Sequence, residues 1–310
     1  MVFGRLIANC FLATHLGDLG MAIDMITNSR DNGQWTTIIR PRSGWFNFNL
    51  RELWRYRDLI LLFVRRDFVA TYKQTILGPL WFLIQPLLTT IVFTLVFGRI
   101  AKLSTDGLPQ ILFYMSGTVA WTYFSVCMTK TSDTFVANAP IFGKVYFPRL
   151  TVPVSVVITN LLTFGVQFCL FLAFMLFFYL AGSDIKPNAL VLLMPLLLLQ
   201  MAALGLGSGI LISSLTTKYR DLSFVVAFGV QLWMYATPVV YPLSQIPAKW
   251  QWVYMLNPMA AIIEMFRYAF LGAGSVRIWF FLESLGITAL ILLAGIVIFG
   301  RVEKTFMDTV

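Results

Sequence analysis

RRDFVATYKQTILGPLWFLIQPLL, residues 65–88, sets two arginines, a lysine and an amphipathic run directly against an apolar run with one glycine and two prolines. A soluble helix would stop at such a run. A membrane protein lays the charged half along the lipid surface and sends the apolar half through the bilayer. Gly78 and Pro79 suit the bend between the halves, because glycine allows the turn and proline is tolerated in a first helical turn. Pro86, deeper in, predicts a kink where its missing N–H leaves a carbonyl without its helical partner. Upstream, Leu53, Tyr56, Ile60, Phe63, Val64, Phe68 and Tyr72 recur at spacings of three and four, and Arg51, Arg55, Asp58, Arg65 and Arg66 gather on another face. That pattern predicts a helix in the interface plane with its cations toward anionic headgroups. The alternative is the solvated first helix of a small cytoplasmic domain, for which no second soluble helix follows.

The remainder of the 310-residue chain decides for the membrane. Apolar residues make up 58% and charged residues only 12%, with a mean hydropathy of +0.79, far outside soluble composition. A helical span needs about 20 predominantly apolar residues. Six stretches qualify: 78–99, 109–131, 151–181, 188–215, 222–242 and 278–299. The net charge of +9 does not point to nucleic acid, because the cations lie in short segments between spans and in a basic N-terminal region. With both termini cytoplasmic, 17 of the 23 lysines and arginines fall on the inner side, as the positive-inside rule requires.

Between the second and third spans, TSDTFVANAPIFGKVYFPRLTVPV (131–154) is too polar at its start to stay buried. Asn138 and Pro140 predict the start of a short helix ending near Gly143, with Pro148 and Pro153 stiffening the return. This reads as a cytoplasmic docking element or as a plain turn. The short charged loop TTKYRDLS (216–223) makes spans four and five antiparallel neighbours. Segment 241–272 is aromatic and moderately apolar, but prolines at 242, 247 and 258 cut it into pieces too short to span. Two short helices dipping into the outer leaflet account for it, with Glu264 and Arg267 spaced to pair. The three cysteines follow no metal or disulfide spacing. Residues 1–49 read as a poorly ordered cytoplasmic extension without a convincing signal-peptide cleavage site.

What is missing from the chain is also informative. The one histidine, His15, is in the extension, and no span centre carries Asp, Glu, Lys or Arg, which lowers the weight of proton-driven transport and intramembrane hydrolysis. No phosphate-binding loop occurs, since the single Gly-Lys pair, Gly143 and Lys144, lacks the motif's other positions. Aromatics are plentiful, and Trp81, Tyr114, Trp121, Tyr123, Phe124, Trp233 and Tyr235 fall within or near spans. Together they are compatible with a lining that stacks on sugar rings, or with interfacial anchoring and packing.

RRDFVATYKQTILGPLWFLIQPLL, VFGRIAK, NAPIFGKVYFPRLTVP, KYRDL, PVVYPLSQIP and LNPM, in that order, resemble the membrane subunits of type-2 ABC exporters of lipid-linked polysaccharides: O-antigen, capsule and teichoic acid permeases. The resemblance covers about residues 50–305. It implies an all-α, six-span permease acting as a homodimer with two separate ATPase subunits, which would bind ATP and Mg; this chain would bind neither cofactor nor metal. It further implies an interface helix at 53–74 and a coupling helix at 138–147 seated on the ATPase, with Asn138, Pro140, Phe142, Lys144, Tyr146 and Arg149 as contact candidates. Re-entrant gate helices would follow at 241–272, with Tyr241, Pro242, Asn257, Pro258, Glu264 and Arg267 as gate candidates. The substrate would be a polymer on undecaprenyl diphosphate, and Arg65, Arg66 and Lys73 would meet its headgroup or the lipid surface. Relatives often carry a basic residue where this chain has Thr71, which puts a clamp at that position in doubt.

The resulting organisation is an extension (1–49), an amphipathic interface segment (50–77) and a transmembrane domain (78–310) in a bacterial inner membrane, with both termini cytoplasmic. Export of O-antigen or capsule is the leading expectation. The alternatives are an exporter of teichoic acid, a smaller lipid or a drug, and a non-transporting assembly protein of glycan synthesis.

Overall fold

The computed structural model describes residues 50–73, 77–145, 147–216, 219, 221–274 and 277–309. The expected extension at 1–49 lies outside them. The described residues are helical and include no strand. In chain order they form α1 (Leu50–Arg55), α2 (Arg57–Tyr72), α3 (Trp81–Phe93), α4 (Gln110–Ser132), α5 (Thr134–Phe142) and α6 (Thr151–Leu180). Then follow α7 (Met194–Thr216), α8 (Leu222–Tyr235), α9 (Ala248–Met255), α10 (Pro258–Leu271) and α11 (Ile278–Thr309).

Among the described residues, five helical runs are long and apolar enough to cross a bilayer: Trp81–Ile100, Gln110–Ser132, Thr151–Leu180, Ala189–Thr216 and Ile278–Arg301. The chain is a multi-pass membrane protein. The first run enters through a short 3₁₀ turn at Gly78–Leu80, where Gly78 has φ +53°, and leaves as a π-helical stretch, Thr94–Ile100. The stretch expected as a span at 222–242 differs. Its helix α8 has only 14 residues, about 21 Å at 1.5 Å per residue against a hydrocarbon core of about 30 Å. The α-helix stops at Tyr235, and the turn that follows carries Pro238 and Pro242, neither of which has an N–H to extend it.

α4 is the hub. It packs on α3, α6, α7, α8 and α10, and its residues are buried all round. It is the least apolar of the five spans and the most enclosed, because protein rather than lipid surrounds it. Small residues permit the closest contacts. On α7, Gly205 and Gly209 face α4: a Cβ at Gly209 would lie 2.5 Å from the Thr131 Cβ, and one at Gly205 would lie 2.8 Å from the Cys127 Cβ. Gly207 faces the other way, where a Cβ would lie 2.7 Å from the Leu292 Cα of α11. Without a hydrophobic drive between helices in lipid, such backbone approach is what van der Waals association needs.

α2 lays Ile60, Phe63 and Val64 inward, packing on α6, and leaves Leu61, Leu62 and Trp54 of the preceding α1 exposed. α5 follows α4 after Asp133 alone, so the short helix expected at 138–147 is observed four residues earlier, with Pro140 inside it rather than at its start. Segment 241–272 resolves into the expected short pieces, α9 and α10. α10 is almost wholly buried, capped at its start by the Asn257 side chain accepting from the Met259 N–H at 3.1 Å and closed by Gly272 at φ +74°.

Candidate functional site

Three neighbourhoods carry the candidate residues. The first is the junction of α5 with α2. α5 turns Phe135 and Phe142 inward, and with Phe147 they build an aromatic cluster that reaches both neighbours. Phe147 meets Phe63 of α2 at 5.7 Å between centroids, Phe142 meets Phe147 at 5.6 Å and Phe135 at 6.0 Å, and Phe135 stacks on Phe299 of α11 at 4.7 Å. Arg149 lies over Phe142 at 5.8 Å and Arg66 over Phe63 at 4.8 Å. The outward surface is apolar with one cation: Val136, Ala137, Pro140, Gly143, Lys144 and Val145 are exposed. Of the six contact candidates, Pro140 and Lys144 are exposed, and Asn138 and Arg149 are half-buried, with the Asn138 amide donating to the Thr134 carbonyl at 3.0 Å. Phe142, at 4% exposure, is a core residue that braces the helix from beneath. Tyr146 lies outside the described residues. Asp133, between α4 and α5, has its carboxyl held above the ordinary carboxylate value by burial.

Arg65 on α2 and Lys73 just after it are exposed, and Arg66 is held by its neighbour, its Nε donating to the Asp67 carboxylate at 2.8 Å. Arg65 and Lys73 stand on the surface, while Arg66, one turn after Phe63, folds over its ring.

The second neighbourhood is the C-terminal end of α8 with α10. Arg267 is 2% exposed. Its Nη1 donates to the Pro238 carbonyl at 2.6 Å, its Nη2 to the Val239 carbonyl at 2.6 Å, and its Nε to the Ser116 hydroxyl of α4 at 3.3 Å. Glu264, one turn before it, stands 3.6 Å from Nη1, and the guanidinium lies 3.8 Å from the Phe113 ring centre. The predicted pairing of Glu264 with Arg267 is therefore present, in a buried rather than an interfacial setting. Nearby, the Asn257 amide donates to the Thr237 hydroxyl at 2.8 Å, the Tyr241 and Tyr254 hydroxyls share a hydrogen bond at 2.9 Å, and the Ser244 hydroxyl donates to Asp106 at 2.8 Å. Pro242 and Pro258 are buried at the two ends of this segment.

The third neighbourhood is the set of aromatics expected to line a passage, and here the structure corrects the expectation. Tyr114, Trp121, Tyr123 and Phe124 are 0–5% exposed. Trp121 packs on Phe124 at 5.3 Å and on Trp233 at 6.0 Å, Tyr123 on Phe164 at 5.2 Å, and Tyr114 on Phe113 at 5.4 Å. A ring enclosed by its own protomer cannot line a passage between protomers in this conformation, so these four are packing. Trp81 and Tyr235 are exposed and Trp233 is half-buried.

Other residues stand out instead. Gln85 in the second turn of α3 and Gln231 in α8 are amides within largely apolar helices, and both are exposed. Both helices pack on α4, which carries Thr122, Ser125 and Thr129 on one partly open face. A lone amide in a hydrophobic run is legible in a sequence, but which way it faces is not.

Comparison with known proteins fits this architecture. The family model described as "ABC-2 type transporter" matches residues 58–271, more than half of the chain. The chain belongs to the ABC-2 type transporter family. Among curated relatives of this ABC-2 chain is the O-antigen export system permease protein RfbA of Klebsiella pneumoniae, 28% identical over 81% of this chain and 94% of the relative. RfbA of Myxococcus xanthus is 31% identical over 71% and 83%, respectively. The polysialic acid transport protein KpsM of Escherichia coli is 23% identical over 66% and 78%. Proteins of this kind are the membrane components of transporters, and the family model starts inside α2 and ends at the last residue of α10. It thus takes in all three neighbourhoods.

Proposed function

We propose that this chain is the permease subunit of an ATP-driven exporter that moves undecaprenyl-diphosphate-linked polysaccharide, O-antigen or capsule, across a bacterial inner membrane. The observation that carries the reading is the pair of exposed amides, Gln85 in the second turn of α3 and Gln231 in α8, on two apolar helices that both pack on α4. An amide facing lipid loses its hydrogen bonds to water and is unfavourable by a few kcal/mol. Facing a wet passage between two copies of the chain it keeps them, and amides and hydroxyls are what a polymer of sugar hydroxyls can slide along by exchanging hydrogen bonds. The names of the relatives supply the substrate class.

In this reading two permeases pair with α3 and α8 toward the passage, and α8 with the turn after it serves as the sixth span. α2 is the interface helix, presenting Arg65, Arg66 and Lys73 to the lipid diphosphate or to anionic headgroups. α5 is the coupling helix and offers Val136, Pro140, Lys144 and Val145 to a separate ATPase, which binds the ATP and Mg. Its displacement passes through Phe142, Phe147 and Phe63 to α2, and through Phe135 and Phe299 to α11, because close-packed aromatics transmit rather than absorb small shifts. Segment 241–272 is the outer gate, and the termini are cytoplasmic.

The test is made in cells deleted for the gene and complemented with the chain, following labelled lipid-linked glycan from the inner to the outer face of the inner membrane. The intact chain restores export, while Gln85→Leu with Gln231→Leu leaves labelled polymer inside although the protein is inserted normally. Full export by the double variant, or no dependence of export on the chain, would overturn the reading.

A further inference from the structure

The turn that ends α8 poses an accounting problem. Beyond Tyr235 the α-helix ends, and while the Thr237 carbonyl accepts from the Val239 N–H at 2.6 Å, Pro238 and Val239 are buried too, so their backbone carbonyls have no water to turn to. Arg267 answers for both. Its two terminal nitrogens each donate at 2.6 Å to the successive carbonyls of Pro238 and Val239, a forked geometry that a planar guanidinium offers and a lysine ammonium does not. The third nitrogen donates to Ser116, the cation rests on Phe113, and Glu264 balances the charge. Gly117 makes room for it: a Cβ there would lie 2.7 Å from Nη2 and 2.9 Å from the Val239 carbonyl oxygen. A single side chain of α10 thus ties the end of α8 to α4. Asn257 repeats the tie one residue earlier, capping α10 with its oxygen while its amide holds Thr237.

We propose that Arg267 is a positioning residue for transport, a latch that makes the outer end of α8 move together with α4 and α10 rather than swing free. It rests on the reading that α8 walls the passage, since α8 carries Gln231 and Tyr235 on its exposed side. With the latch intact, opening shifts the wall and the outer segment as one body. Without it, the turn at 237–240 peels away while the helices beneath stay packed.

The test uses the full exporter, permease with its ATPase, in lipid nanodiscs. Cys10→Ser and Cys169→Ser remove the other thiols, and V240C places a probe at a residue that is 2% exposed. The native Cys127, buried in α4 at 0% exposure, is the internal reference for general unfolding. A maleimide is added and the labelling rate of each thiol is read by mass spectrometry. With Arg267→Lys, which keeps the charge but not the fork, V240C labels at least tenfold faster while Cys127 stays protected, and export falls about tenfold with the ATPase still bound. Gly117→Ala, which leaves Arg267 in place but crowds it, gives the same labelling pattern. Unchanged V240C labelling in both variants overturns the latch, and so does equal exposure of both thiols, which marks ordinary destabilisation. Faster V240C labelling with undiminished export overturns its role in transport. If the unmodified complex exports no glycan, the functional reading fails on its own, and the labelling arm still decides whether Arg267 holds the turn.

Discussion

Gly209→Ala adds one methyl group at the tightest approach between α7 and α4. The new Cβ would lie 2.5 Å from the Thr131 Cβ, 2.8 Å from its Cγ2 and 2.9 Å from the Met128 carbonyl oxygen, where carbon atoms prefer about 3.5–4.0 Å. Thr131 is β-branched and fully buried on a helix, so it cannot swing aside. α7 cannot retreat either, because Gly207 on its opposite side already abuts the α11 backbone at Leu292. About 1 Å of overlap must be absorbed by strain, and overpacking of this kind is unfavourable by roughly 1–3 kcal/mol. The gain in helix propensity from glycine to alanine returns about 1 kcal/mol, so the net effect is a loss of up to about 2 kcal/mol. Gly165 and Gly286, in α6 and α11, have nothing within 4 Å of an added Cβ, so alanine there is neutral or stabilising by up to about 1 kcal/mol. Thermal unfolding in one detergent, followed by the loss of the monodisperse peak on size exclusion, compares the three. G209A melting at or above the temperature of G286A would refute the account of how α4 and α7 are held.

Phe135→Ala removes the ring that stacks on Phe299 and supports Phe142, and is expected to destabilise the protein by about 3–5 kcal/mol; wild-type melting behaviour would show that the cluster is not a core. Charge reversal at Arg65 and Arg66 is expected to reduce export while the ATPase still copurifies, since both side chains stand on the exposed side of α2; undiminished export would remove them from substrate or headgroup contact. Asp133→Asn is expected to stabilise the protein at neutral pH. Burial raises the Asp133 carboxyl above its ordinary value of 3.8, so the ionised form is the one disfavoured by folding. The advantage of the amide is full above the raised value and disappears as pH falls below 3.8, where both side chains are neutral. Melting curves across that range check the sign, and an advantage that grows toward acid would contradict it.

The membrane architecture was largely legible because apolar length and punctuation are local signals. Gly78 and Pro79 mark the turn into the first span, and the prolines of segment 241–272 cut it into short helices, but the helix expected to reach Pro242 ends at Tyr235. Facing was not legible. α4 looked like one span among several, yet its modest hydropathy was the sign that protein would surround it on all sides, and that misplaced Tyr114, Trp121, Tyr123 and Phe124 onto a passage. The spacing of Gly205 and Gly209 was a readable small-residue signature for close helix packing. The Arg267 pairing with Glu264 was visible as an i, i+3 spacing, but its two carbonyl partners lie 28 and 29 residues away and only the fold brings them together. Phe142 falls in the segment expected as a contact, but the helix period turns it toward the core.

The central claim is that this membrane protein converts the work of a separate ATPase into movement. Its most direct test is to isolate the tagged chain in mild detergent and identify what comes with it, for the wild type and for Val136→Asp, Lys144→Glu and Val145→Asp on the exposed side of α5 and the turn after it. Stoichiometric recovery of a protein with a phosphate-binding loop and ATPase activity, weakened by these three substitutions and unaffected by Gly286→Ala, is the predicted result. Recovery of a glycosyltransferase with no ATPase, or of an ATPase whose binding ignores all three changes, would contradict it.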